Sequence, residues 1–288
     1  MKQLIVNADD FGYTRGVNAG IIQGFREGII TSTTLMANGA AFEDAVERAK
    51  ENPKLGVGCH LVLVGGKAVA PKAQIASLVD AEGKLPATLG SLMARLSAGG
   101  VRPEAIVCEL RAQTQRVMSA GIQPTHFDSH KHTHAHPRVA EAVMKVAVEF
   151  NIKRIRKPFE DFTSLLRPVN GNGWASWKQR ATALASLASA PRFRRLARAH
   201  GVVTPEHFWG IAATGRLNVA AILSMMETMP EGTNELMCHP GNYDAELEGS
   251  PTRLKRERER ELEALMAPEV REALKASQIQ RISFRELS

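Results

Sequence analysis

The sequence predicts an α/β protein built on a mostly parallel sheet, open or closed into a barrel. Three observations carry that reading. Strand-like apolar runs alternate with amphipathic helical stretches along most of the chain. The 288 residues fit one domain of this kind, since such barrels run to about 250 residues. The residues with chemistry also fall where strand-like runs give way to loops: Asp9-Asp10 after Leu4-Ile-Val6, His60 after Leu55-Gly-Val-Gly-Cys59, and His239 after Glu235-Leu-Met-Cys238. C-terminal strand ends of a parallel barrel converge on one rim, where active sites sit.

Taken in order, Lys2–Ala8 reads as a buried strand. Thr14–Gly28 reads as a helix with Val17, Ile21 and Phe25 on one face. Ile29–Asn38 is β-branched and extended, Phe42–Glu51 helical, and Leu55–Leu63 a strand crossing His60. Residues 64–102 carry Gly65-Gly66, Pro71, Pro86 and Gly99-Gly100, and read as an inserted excursion with short helices. Pro103–Ala120 is a helix with proline near its first position and Gly121 at its stop. Pro124–Asp128 is a short strand, Pro137–Phe150 a helix and Lys153–Arg156 a strand. From Pro158 to about Thr204 the alternation fades; Asn170-Gly-Asn-Gly173, Trp174 and Trp177 suggest a cap over the barrel mouth. A helix near Leu217–Thr228, a strand Asn234–Cys238, a charged helix Thr252–Met266 and a strand Gln278–Phe284 complete the order. The expectation is one domain, residues 1–288, with insertions near 64–102 and 159–216.

Composition narrows the classes. Hydrophobic residues make up 44%, and no apolar run approaches the roughly 20 residues of a membrane span. The start, Met1-Lys-Gln-Leu-Ile-Val6, lacks the pattern of a secretory signal. Three cysteines without CxxC spacing argue against a disulfide framework and for a reducing cytoplasm. The net charge of +7 suggests acidic partners. Nucleic acid is set aside, because aromatics are only 5% and no basic-aromatic binding motif occurs. Arg253-Leu-Lys-Arg-Glu-Arg-Glu-Arg-Glu261 alternates in sign and reads as a solvated helix face.

The densest chemistry is His126-Phe-Asp-Ser-His-Lys-His-Thr-His-Ala-His136, which holds five of the nine histidines. Histidines 130, 132, 134 and 136 alternate, so an extended segment puts them on one face. At most two bind one metal; the others serve as outer contacts or touch substrate. Two imidazole nitrogens and one carboxylate, with positions left for water, form a ligand set used by catalytic metals. Asp9-Asp10 alone reads better as a helix cap. His60 and His130 supply the missing ligands and tip it toward a metallohydrolase. His239, at another strand end, has the chemistry of a general acid. Cys59 and Cys238 each precede a rim histidine and point the other way, into the core. His200 and His207 read as ordinary hydrogen-bonded residues.

These residues resemble the YdjC-like carbohydrate deacetylases, the family of chitooligosaccharide deacetylase. The likeness lies in Ile5-Val-Asn-Ala-Asp-Asp-Phe-Gly12, Thr31-Ser-Thr-Thr34 with Asn38, Gly58-Cys-His-Leu61, Thr125-His-Phe-Asp-Ser-His-Lys-His-Thr-His134 and Glu235-Leu-Met-Cys-His-Pro240. It covers residues 1 to about 158, and 234–244. His60–Lys67 and Leu78–Leu85 look most like the hopanoid biosynthesis-associated branch. The resemblance implies a distorted (β/α) barrel of mostly parallel strands with an inserted cap, and hydrolysis of an N-acetyl group on an N-acetylglucosamine-type sugar. It implies one divalent ion, Mg2+ or Zn2+, on Asp10, His60 and His130, with Asp9 as general base and His239 as general acid. The hopanoid branch implies a glycolipid head group as substrate, processed in the cytoplasm at the inner membrane face. Soluble chitooligosaccharides are the alternative substrate. Another metal-dependent hydrolase, such as a phosphoesterase, and a non-catalytic sugar-binding protein with a relict metal site are the rival functions. A membrane contact would use Ala181–Ala199, with Leu184, Leu187, Phe193 and Leu196 toward lipid and Arg192, Arg194, Arg195 and Arg198 toward anionic head groups. The alternative is a helix packed on the barrel with a solvated basic face.

Overall fold

A computed structural model describes residues 1–161, 181 and 183–288. Its sheet is wholly parallel, in the strand order β4-β3-β2-β1-β6-β5. The strands are β1 (Lys2–Phe11), β2 (Ser32–Leu35), β3 (Gly56–Leu61), β4 (Phe127–Ser129), β5 (His207–Trp209) and β6 (Gly232–Cys238). A last strand, β7 (Ile279–Arg281), pairs with Lys2–Leu4 of β1 below β2. β1 is central, and from Leu4 onward every residue is buried. That is why it shows a continuous apolar run rather than alternation.

The sheet curls until its two edges nearly meet. Beyond β4, Phe127 bridges Ile155, and Arg154 bridges Val203, four residues before β5. Single bridges stand here in place of full ladders, so the barrel is distorted along this seam. The strand expected at Lys153–Arg156 is present only as these bridges. Helices α1 (Arg15–Glu27), α2 (Phe42–Glu51), α5 (Pro103–Ser119) and α6 (Pro137–Glu149) cover the outside, each burying one apolar stripe. The α5 stripe includes Ile106, Leu110 and Val117.

Residues 64–102 form two short helices, α3 (Lys72–Ile75) and α4 (Leu89–Ser97), and an antiparallel bridge between Lys67 and Lys84. Buried Glu109 of α5 pins this excursion by accepting from the amides of Val69 and Ala70. The segment Asn170-Gly-Asn-Gly173 with Trp174 and Trp177 lies outside the described residues.

Two expectations are corrected. Helix α7 (Ala190–Ala199) does not offer an apolar face to lipid: Phe193 is 2% exposed and packs edge-on against His134 and Phe159. Leu187 and Leu196 pack on the core, leaving only Leu184 of that set exposed. Burial on the barrel satisfies the apolar stripe, so the packed-helix alternative holds. The charged helix likewise begins later, as α10 (Glu257–Met266; α8 is Val219–Thr228 and α9 Ala245–Gly249), and is not wholly solvated. Arg258 and Glu261 are each 1% exposed and point into the barrel mouth.

Candidate active site

The carboxylate pair is presented by a bulge. Ala8 pairs with Thr33 and Phe11 with Leu35, so three steps along β1 match two along β2. Asp10 takes up the extra residue in the left-handed region, at φ 69°. A non-glycine residue pays roughly 1–2 kcal/mol for that conformation. In return, Asp9 and Asp10 escape strict alternation and both reach the rim. Neither caps the following helix, because Thr14 does so through its hydroxyl to the Val17 amide.

Asp10, His60 and His130 meet at the rim. Asp10 Oδ1 lies 3.4 Å from His60 Nε2 and 3.1 Å from His130 Nδ1, and the two nitrogens are 3.3 Å apart. With metal–ligand bonds near 2.1 Å, neighbouring ligands sit about 3.0 Å apart at right angles and about 3.4 Å apart in a tetrahedron. The triangle therefore fits one small divalent ion on one face, with positions left for water and substrate.

The surroundings orient two of the three, His60 and Asp10. His60 Nδ1 donates to Asp128 Oδ1 at 2.7 Å, which aims Nε2 at the triangle. Thr34 Oγ1 donates to the other Asp128 oxygen at 3.0 Å. Arg258 Nη2 donates to Asp10 Oδ2 at 2.6 Å, leaving Oδ1 for the triangle. Burial alone would raise the Asp10 pKa, but Arg258, His130 and His60 hold it well below the usual carboxylate range. Burial alone would lower that of His60, but Asp128, Asp10 and Asp9 push it up to about 10. The site thus favours positive charge at His60 Nε2, as a proton or as a metal ion.

Asp9, His60 and Asp128 form a second cluster of ligand-type atoms, and there the charge is already met. Arg156, fully buried, donates from Nη1 and Nη2 to both oxygens of Asp9 at 2.7 Å. Its Nη1 is also 2.7 Å from Asp128, and its Nε donates to Glu235 at 2.6 Å. Burial opposes ionisation of Asp9, yet the Arg156 fork overrides it and holds the pKa far below normal. For Glu235 burial wins and pushes the pKa up to about 8. Of these two carboxyls, Glu235 is the one that keeps a proton near neutrality.

His239 follows β6 on the same rim. Its amide donates to Glu261 at 2.6 Å, and its ring Nδ1 is buried without a partner. Burial lowers its pKa to about 4 against the pull of Asp9 and Asp10. Other buried atoms here also lack partners: Asn7 Oδ1, His132 Nδ1, Glu235 Oε2 and Arg258 Nη1. Unmet polar groups gathered in one place mark a site built for something besides the protein.

The alternating-histidine expectation fails. Residues His130–Ala135 form a 3-10 turn, and Lys131 and His132 both adopt left-handed backbone, at φ 54° and 51°. Successive left-handed residues destroy the two-residue period, so the four rings part. His130 joins the triangle. His132 packs edge-on to Phe208. His134 is fully buried: Nε2 donates to the Arg156 carbonyl at 3.1 Å, leaving Nδ1 to accept from Ser129 Oγ. Its work is to hold Arg156. His136 caps α6. Cys59 and Cys238 are buried and away from the triangle, as expected. His200 bonds the Leu196 carbonyl and His207 bonds Asp161, so both remain ordinary residues.

Sequence reasoning missed Thr34, Asp128, Arg156, Glu235, Arg258 and Glu261. For Asp128 and Arg156 the strand-end rule was a usable signal; Glu235 sits mid-strand in β6, where that rule does not reach. For Arg258 and Glu261 none stood out inside a run of charges.

Comparison with known proteins agrees with this architecture. A family model described as YdjC-like protein matches residues 3–276. A carbohydrate deacetylase of Brevibacillus brevis is 37% identical over 287 residues, covering 99% of both chains. A chitooligosaccharide deacetylase of Yersinia enterocolitica is 45% identical over 149 residues, 51% of this chain and 56% of that one. A crystal structure from Enterococcus faecalis, provisionally named a cellobiose-phosphate cleavage protein, superposes with a TM-score of 0.82 at 26% identity. It covers 100% of this chain and 99% of that one. The chain belongs to the YdjC-like family.

Proposed function

We propose that the protein is a metal-dependent N-deacetylase of carbohydrates, acting on an N-acetylglucosamine-type sugar. The observation that carries this is the Asp10-His60-His130 triangle, with ionised Asp9 and His239 set beside it on one rim. The relatives named above as carbohydrate and chitooligosaccharide deacetylases support the substrate class. Asp10 Oδ1, His60 Nε2 and His130 Nδ1 would hold the ion, Mg2+ or Zn2+. A divalent ion there supplies polarisation of the acetamide carbonyl and a lowered pKa for water.

The protein's own groups handle the protons. Asp9 is ionised at any working pH and takes the proton of the attacking water. Both its oxygens already accept from Arg156, which makes it a weak base. In this reading His239 enters in its protonated form, a minor one at pH 7 given a pKa near 4, and gives that proton to the departing amine, so that free amine and acetate leave. The same Arg156 fork favours a second reading. His239, neutral at pH 7, would take the proton from water and deliver it to the amine itself, with Asp9 stabilising the imidazolium. Asp9→Asn separates the two. A base role predicts a fall of roughly 10² to 10⁴ in kcat. The single-shuttle role predicts a small fall for Asp9→Asn and a large one for His239→Ala.

For the substrate's other end, the apolar side of α7 is buried, and among the described residues of that segment Leu184 and the arginines remain exposed. The relatives named as carbohydrate and chitooligosaccharide deacetylases support a soluble oligosaccharide over a hopanoid head group. Acetate release from chitobiose and from an N-acetylated glycolipid, compared side by side, tests this. Turnover confined to the glycolipid would reverse it.

A further inference from the structure

We infer that Arg258 and Glu261 of α10 are positioning residues, one fixing the metal ligand Asp10 and the other fixing His239. The roles of Asp10 and His239 rest on the reading just given; the placement of the two side chains does not. They lie three residues apart, one helical turn, so both project from the same face of α10. Both are 1% exposed, which is unusual for ionisable residues in a segment of alternating charge.

Their contacts divide the site between them. Arg258 Nη2 donates to Asp10 Oδ2 at 2.6 Å. A carboxylate held by one oxygen presents the other in a fixed direction, and here that oxygen completes the ligand triangle. Arg258 is itself held, with Nε donating to the Leu254 carbonyl at 3.3 Å and its own carbonyl accepting from the Gly241 amide at 3.2 Å. Glu261 Oε2 accepts from the His239 amide at 2.6 Å, and Oε1 accepts from the Gly215 amide at 2.8 Å. One carboxylate thus ties the end of β6 to the loop before α8. The intervening turn is closely packed: a Cβ on Gly241 would stand 3.1 Å from Val17 and 3.4 Å from Arg258. A rigid helix with two buried prongs sets the spacing between the ligand triangle and the His239 ring. Groups that orient metal ligands are typically worth 10–100-fold in metal affinity or activity.

Two variants test the inference on the full chain. Arg258→Lys keeps the charge but loses the planar fork. It is expected to weaken binding of Zn2+ or Mg2+ by about 10–100-fold in a chelator-competition titration. Glu261→Gln keeps the shape but can accept only one of the two amides. It is expected to lose hydrogen-exchange protection at one of the two amides, His239 or Gly215, while the rest of β6 stays protected. Its metal affinity should stay at the wild-type value, while kcat falls about 10–100-fold with little change in KM. A merely structural role would lower thermal stability and leave kcat of the folded enzyme unchanged. Should Glu261→Gln fail to fold, Glu261→Asp, which keeps the charge at shorter reach, is expected to show the same loss of kcat. Wild-type metal affinity in Arg258→Lys overturns the role of Arg258. Wild-type amide protection and kcat in the Glu261 variant overturn that of Glu261. If the wild-type enzyme releases no acetate, the deacetylase reading falls, while metal affinity and amide protection still decide the positioning roles.

Discussion

Arg156→Met asks how much the site's charge frame depends on one guanidinium. In the wild type, Arg156 makes two bonds to Asp9 and one to Glu235, and lies 2.7 Å from Asp128, with none of the four side chains more than 4% exposed. Methionine roughly fills the stem but leaves these carboxyls in a low-dielectric pocket without a counter-charge. Removing one partner of a buried pair costs about 3–5 kcal/mol. Against a total stability of about 5–15 kcal/mol, that is a large share. At roughly 2–4 °C per kcal/mol, the melting temperature should fall by about 10 °C. The sign with pH is the sharper test. In the wild type the depressed Asp9 pKa contributes stability above the unfolded value of 3.8, lost only as pH falls further. Without Arg156, burial raises the carboxyl pKa values, so the variant loses stability as pH rises through them. The gap between wild type and variant should therefore be near 4 kcal/mol at pH 8 and narrower at pH 5. Urea denaturation of both proteins at the two pH values, with a chelator present, measures it. A gap below about 1 kcal/mol at pH 8, or one that widens on acidification, would refute the reasoning.

Three further outcomes follow from the same geometry. His60→Ala removes one corner of the triangle and should lower metal affinity by at least about 100-fold in elemental analysis and titration; full occupancy would show the ligand set to be wrong. Asp9→Asn should keep its metal while kcat drops by roughly 10² to 10⁴, if Asp9 is the base. Burial holds the His134 pKa at about 3, below the unfolded 6.5, so its contribution is whole above 6.5 and lost as pH falls toward 3. His134→Gln should flatten the decline of stability across that window, read from urea midpoints, and an unchanged slope would remove His134 from the account.

Much of this was legible in the sequence because the strand-end rule is geometric. Period and turn residues located β1, β3 and β6, and with them Asp10, His60 and His239. What stayed hidden depended on local backbone departures and on distant contacts. The bulge at Asp10 and the left-handed pair Lys131-His132 have no glycine to announce them. The alternating histidines therefore looked like one face, when only His130 joins the ligand triangle. Arg156 reaches Asp9 across 147 positions of sequence and Arg258 reaches Asp10 across 248. No short-range pattern encodes such a pairing. In α10 the charge alternation that suggested solvent exposure concealed two residues whose partners lie inside the barrel. In α7 the arginines were read correctly as surface charge, but the apolar stripe beneath them belongs to the core.

The central claim is that the rim is a metal-dependent amide hydrolase site for an N-acetylated sugar. The most direct measurement strips the purified protein with chelator, restores Zn2+ or Mg2+ in turn, and follows acetate and free amine from chitobiose. The account predicts acetate and amine in equal amounts, only with metal restored, and their loss in His60→Ala and His239→Ala. Equal turnover in the stripped protein, or none from a folded, metal-loaded enzyme on any N-acetylated sugar, would contradict it.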